Sequence, residues 1–188
     1  MKRLQRVTIL LSLIEKLHDK GSWCGETHIQ KATYFLQELM EVPLGFEFIL
    51  YKHGPFSFDL SDEIVAMRAD SILTVQPRPY PYGPTVLPGE GSASVKHLFP
   101  VTLRAYADQV EFVARQLGNM SVADLERLAT ALYVTLEGQA GKDVESRARR
   151  VNDLKPHISI EEARKAVEMV DKIREEVSCC LQQRKENF

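Results

Sequence analysis

Residues 46–64 constrain the fold of this chain more than any other stretch. An aromatic, alternating run (Phe46, Phe48, Ile49, Tyr51) meets His53-Gly54-Pro55, and a helical pattern starts directly after it. Alternation with aromatic and β-branched residues favours a strand over 46–52. Pro55 fixes its own φ and pushes the residue before it away from the helical region, and Gly54 can adopt conformations closed to other residues. The chain must therefore turn sharply before Ser57, which has the side chain to cap a helix over about 57–69. Asp59, Asp62 and Glu63 then lie near the positive end of that helix, where they stabilise it.

The flanking segments place this corner in an ordered series. Residues 3–20 put Leu4, Val7, Leu10, Leu11, Ile14 and Leu17 on one helical face, and Gly21 ends it. A second helix is expected over about 26–41, before Pro43 and Gly45. Residues 71–76 read as a strand returning through 85–87, with a stiff tip holding Pro77, Pro79, Pro81 and Pro84; four prolines cannot sit in a central strand. Residues 89–92 read as a loop. The order helix, helix, strand, helix, strand, strand is that of a winged helix, with 46–52 as the third strand of its small sheet.

The second half reads as helical: about 100–117, 122–137 after Ser121, 144–153 after Asp143, and 159 to about 183 opened by the capping box Ser159-Ile160-Glu161-Glu162. The expected class is mainly α with a small antiparallel β element. Residues 1–92 are expected to form a winged-helix-like region and 93–188 a helical region packed on it, the two making one compact domain overall.

Composition narrows the function. A hydrophobic fraction of 44 % supports a core, and the net charge of -2 offers no global basic excess for phosphate contacts. Cys24, Cys179 and Cys180 form no C-x-x-C pair and suit a reducing cytosol. The early apolar run, 7–14, is far short of the roughly 20 residues that span a bilayer, so no membrane association is expected.

Three sites compete. The 57–69 helix is the natural DNA reader of a winged helix, yet it sets three carboxylates against Arg68 alone, which opposes entry into a phosphate-lined groove. Arg147, Arg149 and Arg150 are the best basic cluster, either a solvated helix face or a nucleic-acid contact. Cys24 to His28 holds a thiol, a carboxylate and an imidazole within five residues, and His53 stands at the corner, but nucleophile and base must meet in space. No Walker loop, dinucleotide fingerprint or H-E-x-x-H spacing occurs, so neither a cofactor nor a metal is expected. Exposed aromatic anchors fit a protein partner better, with Tyr80 and Tyr82 on the proline-stiffened tip as first candidates.

Two segments resemble a known family. HIQKATYFLQ (28–37) resembles the L-x-K-L-L-Y-F segment of the Panacea, or SocA-like, antitoxin domain, and YKHGPFSFDL (51–60) is similar to that family's aromatic-x-x-G-P-x-x-x-x-L segment. LKPHISIEEA (154–163) resembles a segment of a close relative. Ala32 and Thr33 stand where the family has a Leu pair. The resemblance implies a mostly helical, non-catalytic module. Such modules bind a partner protein, either a toxin they neutralise or a target for which they act as adaptor or regulator, in prokaryotic or phage toxin–antitoxin or defence gene clusters. By position it implicates Lys31 and Tyr34 in the second helix, and Tyr51, Gly54 and Pro55 at the corner beside His53. A winged-helix nucleic-acid-binding regulator is the alternative, and an enzyme using Cys24 or His53 is the third.

Overall fold

Local start and stop signals set most element boundaries in the computed structural model, which describes residues 1–186 and side chains through residue 178. The side chains of Cys179 and Cys180 lie outside the described ones. The structure is mainly helical with two small antiparallel sheets. Among the described residues, no helix is long and apolar enough to cross a membrane.

The chain divides into two units, Met1–Ile49 with Phe56–Val122, and Leu50–Pro55 with the rest from Ala123. The division falls at 122 rather than at the expected 92. The reason is α5 (Pro100–Leu117), whose main packing partners are α1 (Arg3–Asp19) and α2 (Glu26–Glu38). Its buried Val110, Val113, Ala114 and Leu117 complete the core of the first unit.

In that unit α1 is buried on nearly every side from Val7 onward, because α2, α4, α5 and β4 all pack on it. Leu4, expected on the buried face, is exposed at the helix start. Gly21 has φ +95 and ends α1 as its sequence position predicts. The helix α3 (Phe58–Ala69) starts where expected, with the Ser57 hydroxyl accepting from the Leu60 N–H at 3.2 Å. The hairpin β3 (Leu73–Gln76) to β4 (Thr85–Pro88) pairs Val75 with Val86 and Gln76 with Thr85, leaving the proline-rich segment as its tip. The Tyr80–Pro81 peptide is cis. A short helix, α4 (Ser92–Leu98), starts at the last residue of the expected 89–92 loop and covers residues 93–98, for which the sequence suggests no element. It buries only Val95, so no helical period announces it.

The expected third strand is corrected. Residues 46–52 do not join the β3–β4 hairpin; β1 (Ile49–Tyr51) folds back instead on β2 (Gly54–Phe56) through the two-residue turn Lys52-His53. Gly54 has φ +86, the left-handed conformation that the corner requires. The outer side of β4 is met elsewhere. The Val86 N–H donates to the Cys24 carbonyl at 3.1 Å, and the His18 Nε2–H donates to the Val86 carbonyl at 2.7 Å.

Two glutamines hold the extended backbone at the start of the aromatic run and just before α3. Gln30 is fully buried in α2. It donates to the Ser57 carbonyl and accepts from the Ser57 N–H, both at 2.9 Å. Gln37, seven residues on and so on the same face, makes the same pair with Phe46 at 2.8 Å. Each side-chain amide serves as a one-residue strand partner, satisfying backbone groups that burial would otherwise leave unpaired.

The second unit is built from α6 (Val122–Glu137), α7 (Val144–Leu154) and α8 (Ile160–Glu186), with the Leu50–Pro55 turn. Asp143 caps α7 by accepting from the Ser146 N–H at 2.8 Å, and Ser159 with Glu162 forms the capping box of α8. Helices α7 and α8 pack on each other through Ala148, Val151, Val167 and Val170. The buried Lys155 ammonium donates to the carbonyls of Tyr51 and of Lys52, the latter at 2.7 Å, and so grips the turn. Burial pulls the Lys155 pKa down, and the nearby Glu126 carboxylate opposes that shift.

Candidate binding groove

The first unit carries an apolar groove of about 540 Å³. Its floor comes from Ile64 and Val65 of α3 and from Val75 and Val86, paired across the hairpin. Its wall comes from Trp23 and from Tyr82 with the neighbouring prolines of the hairpin tip.

The wall is held in place by backbone chemistry around Cys24. This residue has φ 54, an unfavourable conformation for a side chain with a Cβ, which the surroundings must impose. Its N–H donates to Ser22 Oγ at 2.8 Å and its carbonyl receives Val86. Trp23 is thereby turned toward the groove. A Cβ at Gly25 would come within 2.8 Å of the Trp23 indole nitrogen, so glycine is what lets the ring lie there. Trp23 and Tyr82 meet edge to face at 5.6 Å, and the Arg78 guanidinium lies over both rings, 5.1 Å and 5.8 Å from their centroids. Such contacts fix side chains that would otherwise lose rotamer freedom on binding.

Charges sit at two levels along the groove. The exposed Glu26 carboxylate accepts from the Ser61 hydroxyl at 2.7 Å. Arg68 lines the same cavity seven residues farther along α3 than Ser61, is exposed, and its guanidinium forms no ion pair or hydrogen bond among the described residues. At 1.5 Å rise per residue the two levels are roughly 10 Å apart.

The residues singled out in sequence are scattered. Tyr80 is 98 % exposed at the hairpin tip and Tyr82 stands half-exposed in the groove wall. Lys31 and Tyr34 are core residues, 1 % and 3 % exposed, with Tyr34 packed edge to face on Phe48. They support the fold and offer no outward surface. Gly54 and Pro55 are buried, Tyr51 is exposed, and His53 lies 3.6 Å from the Glu126 carboxylate, which His157 also meets at 3.2 Å.

The basic cluster of α7 does not form an outward stripe. Arg147 is buried and makes a two-pronged pair with Asp171 at 2.7 and 2.6 Å, which holds the Asp171 carboxyl below its usual value. Arg150 lies 3.5 Å from Glu137, and Arg149 lies 3.5 Å from Glu145. A phosphate would have to compete with these carboxylates. The acidity of α3 is also revised. Glu63 is buried and receives Arg3 at 2.8 Å and Arg6 at 2.9 Å, so only Asp59 and Asp62 remain as exposed carboxylates within the helix.

The thiol–imidazole cluster is a structural device. Burial pushes the Cys24 thiol up to about 12, leaving negligible thiolate at neutral pH. His28 is buried, and burial, the largest influence, lowers its pKa, so the ring is neutral. Its Nε2–H donates to the Leu117 carbonyl at 2.8 Å, and Nδ1 accepts from the Ser22 hydroxyl at 2.8 Å. Both nitrogens are committed, and His28 ties α2 to the end of α5. Among the described residues no group of three His, Cys, Asp or Glu side chains is placed to hold a metal.

Trp23, Arg78 and the Glu26–Arg68 pair were not singled out as binding residues in sequence. The lone tryptophan of the chain, two residues before a glycine at a helix start, is the one sequence signal that could have led there. No family model matches the chain, and no curated protein matches it either.

Proposed function

We propose that the protein is a non-catalytic binding module that engages a partner protein through the groove and hairpin tip of its first unit. This is the antitoxin-like or adaptor role implied by the two resembling segments. The observation that carries it is the preset aromatic wall. Trp23, Tyr82 and Arg78 are fixed around an apolar floor, beside a fully exposed Tyr80 on a proline-stiffened tip. Rigid aromatic side chains next to a pocket are the usual source of interface energy, and prior ordering lowers the entropy cost of docking. The hairpin after α3, bridged on β4 by Cys24, supports a winged-helix-like form for this unit. The commitment of the α7 arginines to carboxylates weighs against using that form on nucleic acid.

The test is to express the neighbouring gene product alone and together with this chain, scoring growth and co-purification. Wild type should relieve toxicity or co-purify. A Trp23→Ala, Tyr80→Ala double variant that keeps its melting temperature should bind roughly tenfold more weakly, as expected for lost aromatic anchors. Partner binding that ignores this variant would overturn the proposal, as would a salt-sensitive DNA mobility shift.

A further inference from the structure

We infer that the groove selects a partner segment of ordered charge: a basic residue, an apolar anchor, then an acidic residue. This inference rests on the binding-module proposal and specifies the occupant of that same groove. The charge complementarity comes from two groups at opposite levels. Glu26 accepts one neutral hydroxyl, from Ser61, and carries no ion pair among the described residues. The Arg68 guanidinium has no ion pair or hydrogen bond among the described residues. Of the other carboxylates around α3, Glu63 holds Arg3 and Arg6, Asp70 holds Arg3, and Asp59 and Asp62 line a different cavity. The Glu26 carboxylate and Arg68 guanidinium, neither with an ionic partner among the described residues, both line the cavity, with the apolar Ile64 and Val65 between their levels.

A segment with its cation at the Glu26 level and its anion at the Arg68 level meets attraction at both ends. In the same chain direction the reverse order meets repulsion at both, which discriminates more strongly than either contact alone. The roughly 10 Å separation corresponds to about three residues of extended chain or seven of helix. Both charges are exposed and will be screened, so selectivity should weaken with salt.

The test uses a random peptide library displayed on phage, panned at low ionic strength on the full chain and on a Glu26→Lys, Arg68→Glu double variant. Neither substitution removes a buried group, and an unchanged melting temperature confirms folding. Wild type should enrich peptides carrying one charge order around an apolar anchor, and the swapped variant should enrich the opposite order. Peptides chosen by one protein should bind the other roughly tenfold more weakly, with the difference shrinking at high salt. Peptides without charge order, or bound equally by both proteins, overturn the inference. So does failure to enrich any peptide while capture of the gene-neighbour partner still depends on Trp23 and Tyr80. That last result leaves the binding-module proposal standing, whereas loss of groove-dependent partner capture removes the proposal itself.

Discussion

The charged residues of the groove and those of α7 are used in opposite ways. Arg147, Arg149 and Arg150 each face a carboxylate of their own unit, and Arg147 is clasped at both prongs. Arg68 and Glu26, in a cavity with an apolar floor, have no ionic partner among the described residues. In sequence α7 looks like the charged functional surface and α3 merely looks acidic. What matters for function is the availability of a charge, which depends on pairing and not on composition.

The largest test of this contrast is in α7. Asp171→Ala strands the buried Arg147 guanidinium, and leaving a buried charge unpaired costs about 3 kcal/mol. Chemical denaturation should show that loss, and a loss below about 0.5 kcal/mol would mean that Arg147 is no more committed than a surface cation.

Acidification should separate the two units. The His28 pKa is lowered in the fold, so below its ordinary value of about 6.5 the unfolded chain takes the proton first and stability falls. Asp171 is lowered by Arg147, so its contribution is intact above the ordinary carboxylate value of about 3.9 and is lost as pH falls through the lower folded value. Melting temperature against pH should therefore begin to drop near pH 6.5, and a His28→Gln variant should lack that first drop. An unchanged profile in the variant would remove His28 as its cause.

The smallest stability effect belongs to the groove. Glu26→Gln and Arg68→Gln should each change stability by less than about 0.5 kcal/mol, as exposed charges do. A melting temperature lowered as far as that of Asp171→Ala would show that these residues serve the fold, and the contrast with α7 would fail.

The sequence revealed much of the scaffold because the signals involved are local. Ser57, Asp143 and Ser159 cap helices within three residues of themselves, and Gly54 takes its left-handed conformation beside Pro55. The candidate site was less legible. Tyr80 and Tyr82 emerged from the prolines around them, while Trp23 depended on Gly25 and on a bond from Val86 that no spacing rule encodes. Lys31 and Tyr34 matched a motif yet went to the core.

By itself the sequence determined most of the helices, several of their caps and the sharp turn at Gly54-Pro55, since these depend on contacts a few residues apart. Tertiary structure alone decided how polar groups were assigned. Gln30 and Gln37 stand in for strands, the Leu117 carbonyl takes the His28 Nε2–H from 89 positions away, and Asp171 claims Arg147. A buried polar group must find a partner wherever folding brings one. The side chains left over, Glu26 and Arg68 beside the aromatic wall, are known only after every other pairing has been made.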